Sequence, residues 1–353
     1  MQPLPNTPHA RLYVPENYSS SLDVRSTEKA IRRIKEFFQT GLAEELNLIR
    51  ATAPLFIKSG LGINDDLNGT EKPVSFQIRG DNHCKAEIVH SLAKWKRMAL
   101  QEYGLQPGEG IYTDMNAIRP DEILDNTHSL YVDQWDWEKV ITAADRSLEF
   151  LKTTVETIYE VIKRTERYVY TLYPQIKPLL PDKITFIHSE DLYSQYPHLS
   201  GPERENMVCR EYGAVFLIGI GGELANDEPH DGRAPDYDDW TTPTTPGHHG
   251  LNGDILIWNP VLQRAYELSS MGIRVNREAL LTQLALRNAE NRLQYHFHKL
   301  LAADELPLSM GGGIGQSRLC MYYLRKAHIG EVQVSLWPDE MHERCGQAGM
   351  FLL

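Results

Sequence analysis

The chain has 353 residues, of which 41% are hydrophobic and 24% charged, a composition typical of a globular protein. Its formal net charge of −12 disfavours nucleic acid as a partner, because binding a nucleic-acid backbone needs a concentrated basic surface. Four scattered cysteines without a CxxC pair exclude a zinc ribbon or thioredoxin-like motif and suit reduced thiols. No segment has the character of a membrane span, signal peptide or transit peptide, so the sequence predicts a cytoplasmic protein with no membrane partner.

The N-terminal half is predicted to begin with a loose, proline-rich extension over residues 1–25, followed by a single domain over 26–353. From Ser26, apolar residues recur on one side of a helix of about six turns. A short strand-like run broken by Pro54 follows, then a Gly/Asn/Asp loop and the strands VSFQIR and EIVH. Ser91 is predicted to cap the next helix, and GIYTDMNAIR and HSLYVDQWDWE are predicted to be two strands joined by a polar loop.

The C-terminal half is predicted to start with a long helix over about 145–173, whose buried stripe comprises Leu148, Leu151, Val155, Ile158 and Ile162. The apolar strands KITFIH and AVFLIGIGG follow, with a helical stretch between them, and then an acidic loop over 223–250. Strands GDILIWN and AYELSSMGIRV, two polar helices, a glycine run and a closing helix complete the chain. Strands in hairpin-like pairs with segregated helices favour an α+β fold with a central antiparallel sheet flanked by helices.

The glycine run has the form G-x-G-x-G-x-x-R, with Gly311, Gly313, Gly315 and Arg318. It is neither a Walker A loop nor a Rossmann fingerprint, because it lacks the Lys-Ser/Thr pair and the following acidic residue. Its glycines would let a flat base approach the backbone, and the guanidinium of Arg318 could stack on adenine or meet a phosphate. Taken alone, the run fits a turn between packed helices equally well.

The segment QWDWE places Gln134, Asp136 and Glu138 on one face of a strand and Trp135 and Trp137 on the other, because side chains alternate along a strand. The tryptophans need cover, so we expect the polar face to line a cavity rather than to be a solvated edge.

Two further groups carry acids. Asp254 and Glu267, on strands expected to be adjacent, could hold Mg²⁺, which prefers oxygen ligands, although two solvated acids explain the pattern equally well. The segment RAPDYDDW carries Arg233 and Asp238 and could be either part of a site or a solvated acidic loop. The nearby GHHG is more typical of a mobile loop than of a metal-ligand pair.

Together these motifs resemble the class II aminoacyl-tRNA synthetases. The helix and strand ending at Pro54, the strand–loop–strand with Arg119, and the glycine run with Arg318 resemble motifs 1, 2 and 3, and QWDWE resembles the Q-x-D-x-E strand of the aspartyl and asparaginyl branch. The strings IVHSLAKWKR, YVDQWDWE, RAPDYDDW, GLNGDILIWNPVL and ELSSMGIRV are similar to the ammonia-dependent asparagine synthetases, the A-type aspartate–ammonia ligases. This resemblance runs from about residue 26 to residue 337.

The resemblance implies a class II catalytic-domain-like fold and ATP-dependent synthesis of asparagine from aspartate and ammonia. The reaction would pass through β-aspartyl-AMP and release AMP and pyrophosphate, with Mg²⁺ as cofactor. It also implies a homodimer, for which the apolar stripe from Ile31 to Leu46 would supply part of the interface.

The resemblance also assigns roles to residues. Arg119 would stabilise charge on the α-phosphate, and Asp65, with Asp238 as a second candidate, would take a proton from ammonium. Asp254 and Glu267 would hold Mg²⁺. The residues implied for ATP are Arg119, Glu267, Ser270, Gly313, Gly315 and Arg318. The residues implied for aspartate are Asp65, Ser91, Lys96, Gln134, Asp136, Arg233, Asp238 and Arg274.

Two alternatives stay open at this point. A paralogue that charges tRNA with aspartate or asparagine would need an anticodon-binding module, for which the N-terminal extension is too short. A catalytically inactive amino-acid sensor predicts the loss of Arg119, Glu267 or Arg318, and all three are present. Gln2 follows Met1 and no cysteine lies in a nucleophile motif, so free ammonia is the expected nitrogen donor.

Overall fold

The computed structural model describes residues 12–65 and 71–353. The helices are α1 (Val24–Leu46), α2 (Ala93–Glu102), α3 (Leu148–Leu172), α4 (Ser189–Gln195), α5 (Gly201–Tyr212), α6 (Arg277–Leu286), α7 (His296–Ala302), α8 (Gln316–Tyr323) and α9 (Asp339–Gln347). The strands are β1 (Leu48–Arg50), β2 (Phe56–Lys58), β3 (Ser75–Ile78), β4 (Asp81–Ile88), β5 (Gly110–Ile118), β6 (Tyr131–Val140), β7 (Thr185–His188), β8 (Ala214–Ile218), β9 (Asn252–Asn259), β10 (Arg264–Ile273) and β11 (Ser309–Gly315).

An eight-stranded sheet forms the centre of the fold, in the order β1-β5-β6-β11-β10-β9-β8-β7. Its six inner strands are antiparallel, and the edge strands β1 and β7 each run parallel to their neighbour. A separate three-stranded sheet has the order β2-β4-β3. The predicted α+β fold with a central, mainly antiparallel sheet is therefore confirmed.

Helices α1 and α3 cover one face of the large sheet. Ile34, Phe38 and Leu42 of α1 are fully buried, and the ring of Phe38 lies 4.6 Å from that of Trp135 on β6. Each fully buried side chain of this size contributes about 1.5–3 kcal/mol relative to an exposed one. The expectation that the stripe from Ile31 to Leu46 supplies a dimer interface is therefore wrong for these residues, because the stripe packs within its own chain.

The glycine run forms a strand, β11, and not a turn between helices. It lies in the middle of the sheet, with β6 on one side and β10 on the other. Helix α8 begins directly after it, at Gln316. Position in the sheet overrides the low strand propensity of glycine, because both neighbouring strands supply hydrogen-bond partners.

The segment before α1 packs on the domain from Leu12 onward. Leu12 and Leu22 are buried, and the hydroxyl of Tyr18 donates to the carboxylate of Glu331 at 2.9 Å. This differs from the loose extension expected over residues 1–25, of which residues 1–11 lie outside the described residues. In residues 12–65 and 71–353, no helix is both long enough and apolar enough to cross a bilayer.

Candidate active site

The face of the sheet opposite α1 and α3 carries α2 and a cavity of about 410 Å³. The cavity is lined by residues from β6, β10, β11 and the start of α2, from the loop between β5 and β6, and from the loop before β9. Of the residues assigned to a site from the sequence, all but Asp254 line this cavity: Asp65, Ser91, Lys96, Arg119, Gln134, Asp136, Arg233, Asp238, Glu267, Ser270, Arg274, Gly313, Gly315 and Arg318. Residues distant in sequence thus meet at one place.

The alternation predicted for QWDWE positions one wall of the cavity. Trp135 and Trp137 are fully buried in the core, whereas Gln134 and Asp136 line the cavity. Glu138 belongs to the same face but is not among the lining residues, and it is completely buried. The polar face therefore forms both the wall and the structure behind it.

The glycines of β11 make room for these polar side chains. Gly313 pairs with Asp136 across the strands, and a Cβ atom at Gly313 would lie 2.7 Å from Asp136 Oδ1. A Cβ atom at Gly311 would lie 2.6 Å from Glu138 Cδ. Both distances are shorter than an ordinary van der Waals contact, so β11 needs glycine where the side chains of β6 fold across it.

A β-bulge in β10 brings Glu267 to the cavity. The register with β9 shifts between Glu267 and Ser269, so one residue is added on β10. Before the bulge Glu267 faces the cavity, and after it Ser270 and Arg274 do so, which a regular alternation would not allow. The side chain of Leu268, the extra residue, joins the core.

Arg274 is the most densely paired cation of the site. Its guanidinium donates to both carboxylate oxygens of Glu138, at 3.0 and 2.8 Å, and pairs with Asp238 on its other side. Burial alone would lower the pKa of Arg274, but the charges of Glu138 and Asp238 outweigh burial and raise it. Lys96 Nζ donates to the carbonyl of Gly312 at 3.1 Å, and burial lowers its pKa.

Two arginines that the sequence assigns to ATP line the cavity. Arg318 Nη1 is 3.1 Å from Glu267 Oε2, and this pair lies partly exposed at the cavity. Arg119 follows β5, and its Nη2 donates to the carbonyl of His90 at 3.3 Å. In the described part of the chain, Arg119 Nε is buried without a hydrogen-bond partner, so an anionic ligand would satisfy it.

Asp254 lies behind the cavity wall rather than on it. Its Oδ1 accepts a hydrogen bond from Arg233 Nη2 at 2.5 Å. Burial raises the pKa of Asp254 to about 7, although the positive charge of Arg233 lowers it. The nearby negative charge of Glu267 adds to the rise. Burial also opposes ionisation of Glu267, but Arg318 and Arg233 outweigh it and lower the pKa of Glu267.

These two carboxylates are compatible with Mg²⁺, because they repel each other and a cation between them would relieve the repulsion. Glu267 is suited to direct contact, since 43% of its side chain is exposed at the cavity. Among residues 12–65 and 71–353, no three His, Cys, Asp or Glu side chains are grouped to hold a metal. Oxygens of a nucleotide would therefore have to complete the coordination.

The segment RAPDYDDW is buried, not a solvated acidic loop. Asp236, Asp238 and Asp239 are each at most 1% exposed and each is ion-paired.

The helix α2 begins one residue later than predicted for a Ser91 cap: Leu92 occupies the cap position, and the Ser91 hydroxyl accepts from the Ala93 amide at 3.1 Å.

Several lining residues were not predicted. Gln333, after α8, donates to Asp133 Oδ1 at 3.2 Å, and Asp133 also accepts from the Ser317 amide, so both help to hold the start of α8. Their role depends on tertiary contacts that leave no local signal. Four unpredicted acids also line the cavity, namely Glu71, Asp121, Glu122 and Asp231.

The comparisons with known proteins agree with each other. A model of the aspartate-ammonia ligase family matches residues 25–349. An aspartate–ammonia ligase from Bacteroides thetaiotaomicron is 60% identical over 342 residues, covering 97% of this chain and 99% of that protein. One from Clostridium perfringens is 53% identical over 343 residues, with the same coverage of 97% and 99%.

Solved structures resemble the fold. An asparaginyl-tRNA synthetase from Pyrococcus horikoshii, complexed with asparaginyl-adenylate, has a TM-score of 0.65 at 14% identity and covers 89% of this chain and 70% of that one. The Entamoeba histolytica asparaginyl-tRNA synthetase, in complex with asparaginyl-adenylate, has a TM-score of 0.64 at 14% identity, with coverage of 88% and 66%. The fold is therefore that of a class II aminoacyl-tRNA synthetase catalytic domain.

Proposed function

The chain belongs to the aspartate–ammonia ligase family, and we propose that its cavity joins aspartate and ammonia into asparagine through β-aspartyl-AMP, with release of AMP and pyrophosphate. One observation carries the assignment of the site. All but one of the residues assigned to aspartate, ATP or metal line the same cavity, although they come from widely separated parts of the sequence. The one exception, Asp254, is ion-paired with the lining residue Arg233.

In the first half-reaction, the β-carboxylate of aspartate attacks the α-phosphorus of ATP and pyrophosphate leaves. Two anions must approach each other, so charge stabilisation at the phosphate is the main task of the protein. Arg119 suits this role, because its guanidinium can meet phosphate oxygens in bidentate fashion and its Nε lacks a partner in the described part of the chain. Arg318 would contact the adenine and the terminal phosphate.

Mg²⁺ would be held by Glu267 and Asp254, together with the nucleotide. Bound there, it would neutralise phosphate charge. The composition of the cavity supports a cation, since nine of the described side chains that line it are Asp or Glu and five are Lys or Arg. A wall with this excess of acids would repel ATP⁴⁻ unless metal accompanied it.

Aspartate would lie between residues of opposite charge. Lys96, with Ser91, would hold its α-carboxylate, and Gln134, Asp136 and Asp65 its ammonium group. Arg233 and Arg274 are further contacts of the same cavity. The buried carboxylate of Glu138 accepts two hydrogen bonds from Arg274 and so holds that guanidinium in one orientation.

In the second half-reaction, Asp65 is the proposed acceptor of the proton from ammonium. Asp238, the other candidate, already pairs with Arg274 and lies 3.5 Å from Arg233 Nε. Accepting a proton there would break a buried ion pair, which is costly. Asp238 is therefore better suited to holding the two arginines than to acid–base chemistry.

We also propose a homodimer, acting in the cytoplasm, where ATP and aspartate are available. Its interface cannot be the buried stripe of α1. Apolar side chains exposed near the edge of the large sheet and on the small sheet offer a different surface: Ile49, Leu55, Phe56, Phe76 and Ile78. Sedimentation that shows a stable monomer at micromolar concentration would contradict this assembly.

The test of the function is aspartate-dependent exchange of labelled pyrophosphate into ATP, followed by a product assay with ammonium chloride. We expect exchange without ammonium and asparagine with it. A paralogue that charges tRNA with aspartate would show exchange but no asparagine, one that charges tRNA with asparagine would show exchange only when asparagine replaces aspartate, and an inactive sensor would show no exchange with either.

A further inference from the structure

A second lysine of α2, Lys94, lies beside the cavity wall and not in it. Its side chain is 2% exposed, and its Nζ lies 2.8 Å from Asp236 Oδ2. The first turn of a helix is an unfavourable place for a cation, and a buried ammonium needs a partner to offset its desolvation. Lys94 therefore depends on specific contacts, and these are with two loops that line the cavity.

The first contact is with a buried group that we call the Asp236 cluster, consisting of Lys94, Asp236, Arg292 and His298. Asp236 Oδ2 forms an ion pair with Lys94, accepts from Arg292 Nη1 at 2.8 Å and lies 2.9 Å from His298 Nε2. Asp236 is fully buried and lies two residues before Asp238. The cluster therefore anchors the loop that carries Asp238 into the cavity.

The second contact is with the opposite loop. Lys94 Nζ donates to the carbonyl oxygen of Asn64 at 3.5 Å, directly before Asp65. The Asn64 side chain accepts from the His90 amide at 2.9 Å, and the His90 ring lies 3.0 Å from the carbonyl oxygen of Asp65. The backbone at Asp65 is thus held by His90 and Lys94, and Lys94 connects it to the Asp236 cluster.

We propose that Lys94 is a positioning residue for the ammonia-dependent half-reaction. By binding the Asn64 carbonyl and Asp236 at once, one ammonium group fixes Asp65 relative to Asp238 across the cavity. The inference rests on the proposed function, in which Asp65 takes a proton from ammonium. The nitrogen lone pair then attacks the acyl carbon, a C–N bond forms, the C–O bond to AMP breaks, and the remaining extra proton passes to solvent.

The ATP end of the cavity is carried by other elements. Arg119, which follows β5, donates to the carbonyl of His90, whereas Glu267 on β10 and Arg318 on α8 pair with each other, and none of these contacts includes a member of the Asp236 cluster. A change at Lys94 should therefore affect the second half-reaction more than the first. A general loss of structure would affect both.

The experiment compares the two half-reactions in Lys94→Met, which keeps the length of the side chain and removes its charge and donors. At saturating aspartate and ATP, we expect pyrophosphate exchange close to wild type. We expect kcat/KM for ammonium in asparagine formation to fall by about 10- to 100-fold, as for a misplaced catalytic group. Arg292 and His298 still pair with Asp236 in this variant, so the carboxylate keeps buried partners.

Three comparisons sharpen the result. Lys94→Gln, which retains a donor amide, should recover part of the lost rate. Adding Asp236→Asn to Lys94→Met should lower the rate little further, because the effects of substitutions at two residues in contact are not additive. Lys163→Met, a change at another buried lysine, which bonds to Glu160 on α3, is the matched control and should lower stability without separating the two half-reactions.

Equal losses in exchange and asparagine formation, or no loss in either, would overturn the role of Lys94. If Lys94→Met does not fold, Lys94→Gln carries the same comparison. Wild-type enzyme that shows no aspartate-dependent exchange would instead refute the proposed function, so the two failures are distinguishable.

Discussion

Arg274, which lines the cavity, forms a bidentate ion pair with Glu138 behind it, with Arg274 Nε 3.0 Å from Glu138 Oε1 and Nη2 2.8 Å from Oε2. The two side chains are 3% and 0% exposed. The Ser309 hydroxyl also donates to Glu138, at 2.7 Å. One buried carboxylate therefore fixes the guanidinium that is proposed to face aspartate.

This pair predicts a dependence of stability on pH. Burial alone would raise the pKa of Glu138, but the charge and hydrogen bonds of Arg274 hold it below the value of 4.5 for an ordinary glutamate. A carboxyl group with a lowered pKa stabilises the fold above its unfolded pKa and loses that contribution as the pH falls through its folded value. The stability difference between wild type and Glu138→Gln should therefore be largest above pH 4.5 and shrink below it.

Urea unfolding over a series of pH values measures this difference, which we expect to be about 3–5 kcal/mol near neutrality for a broken buried pair. Glu36→Gln, which breaks the exposed pair with Arg32, is the control and should change stability by about 0–1 kcal/mol. A Glu138→Gln deficit that stays constant as the pH falls would contradict the ion-pair interpretation.

Arg119→Ala should slow adenylate formation and leave the fold intact, because within the described residues its side chain makes a single hydrogen bond, to the His90 carbonyl. We expect the rate of pyrophosphate exchange to fall by about 100- to 1,000-fold, as for the loss of one oriented charge in a transition state. The exposed Arg210→Ala on α5 is the matched control. Near-normal exchange by Arg119→Ala would mean that the α-phosphate binds elsewhere.

Gly313→Ala should impair aspartate binding, because the added methyl group would lie 2.7 Å from Asp136 Oδ1 and must displace it. We expect KM for aspartate to rise by about 10-fold or more. Gly346→Ala on α9 is the control, since a Cβ atom there meets nothing within 4 Å. Unchanged aspartate kinetics in Gly313→Ala would show that the side chains of β6 can move aside freely.

Ammonia, and not glutamine, should be the direct nitrogen donor. Burial raises the pKa of Cys320 to about 12 and of Cys345 to about 11, and it also raises that of the buried Cys209, so none of these thiols is a nucleophilic thiolate at neutral pH. Cys84 is half-buried on β4. Enzyme supplied with ammonia-free glutamine should make no asparagine, and activity that disappears in Cys84→Ser would contradict this.

The order of the elements was largely predictable from the sequence, and so were 14 of the 34 described residues that line the cavity. Alternation in QWDWE predicts both the buried tryptophans and the polar wall, because period two is a local property of a strand. Long apolar runs predict strands such as β8 in the same way. Of the residues that the resemblance assigns to the site, all but Asp254 line the cavity.

The rest depends on register and tertiary contacts, which a single sequence does not encode locally. The glycine run becomes a central strand because it pairs with β6 and β10, and it needs glycine because the side chains of Gln134, Asp136 and Glu138 lie across it. The bulge at Leu268, which turns Glu267 toward the cavity, has no local signal in ELSSMGIR. The apolar stripe of α1 was wrongly assigned to a dimer interface, because the sequence pattern of such a stripe is the same whether it packs on its own chain or on a partner.

The most direct test of the central claim uses aspartate labelled with oxygen-18 in its β-carboxylate, together with ATP and ammonium chloride. If the carboxylate attacks the α-phosphorus, one labelled oxygen per asparagine must leave in the phosphate of AMP when the C–O bond breaks. We predict label in AMP, detected by mass spectrometry, and none in pyrophosphate. Label in inorganic phosphate with ADP as product, or asparagine formed without label in AMP, would contradict a β-aspartyl-AMP intermediate.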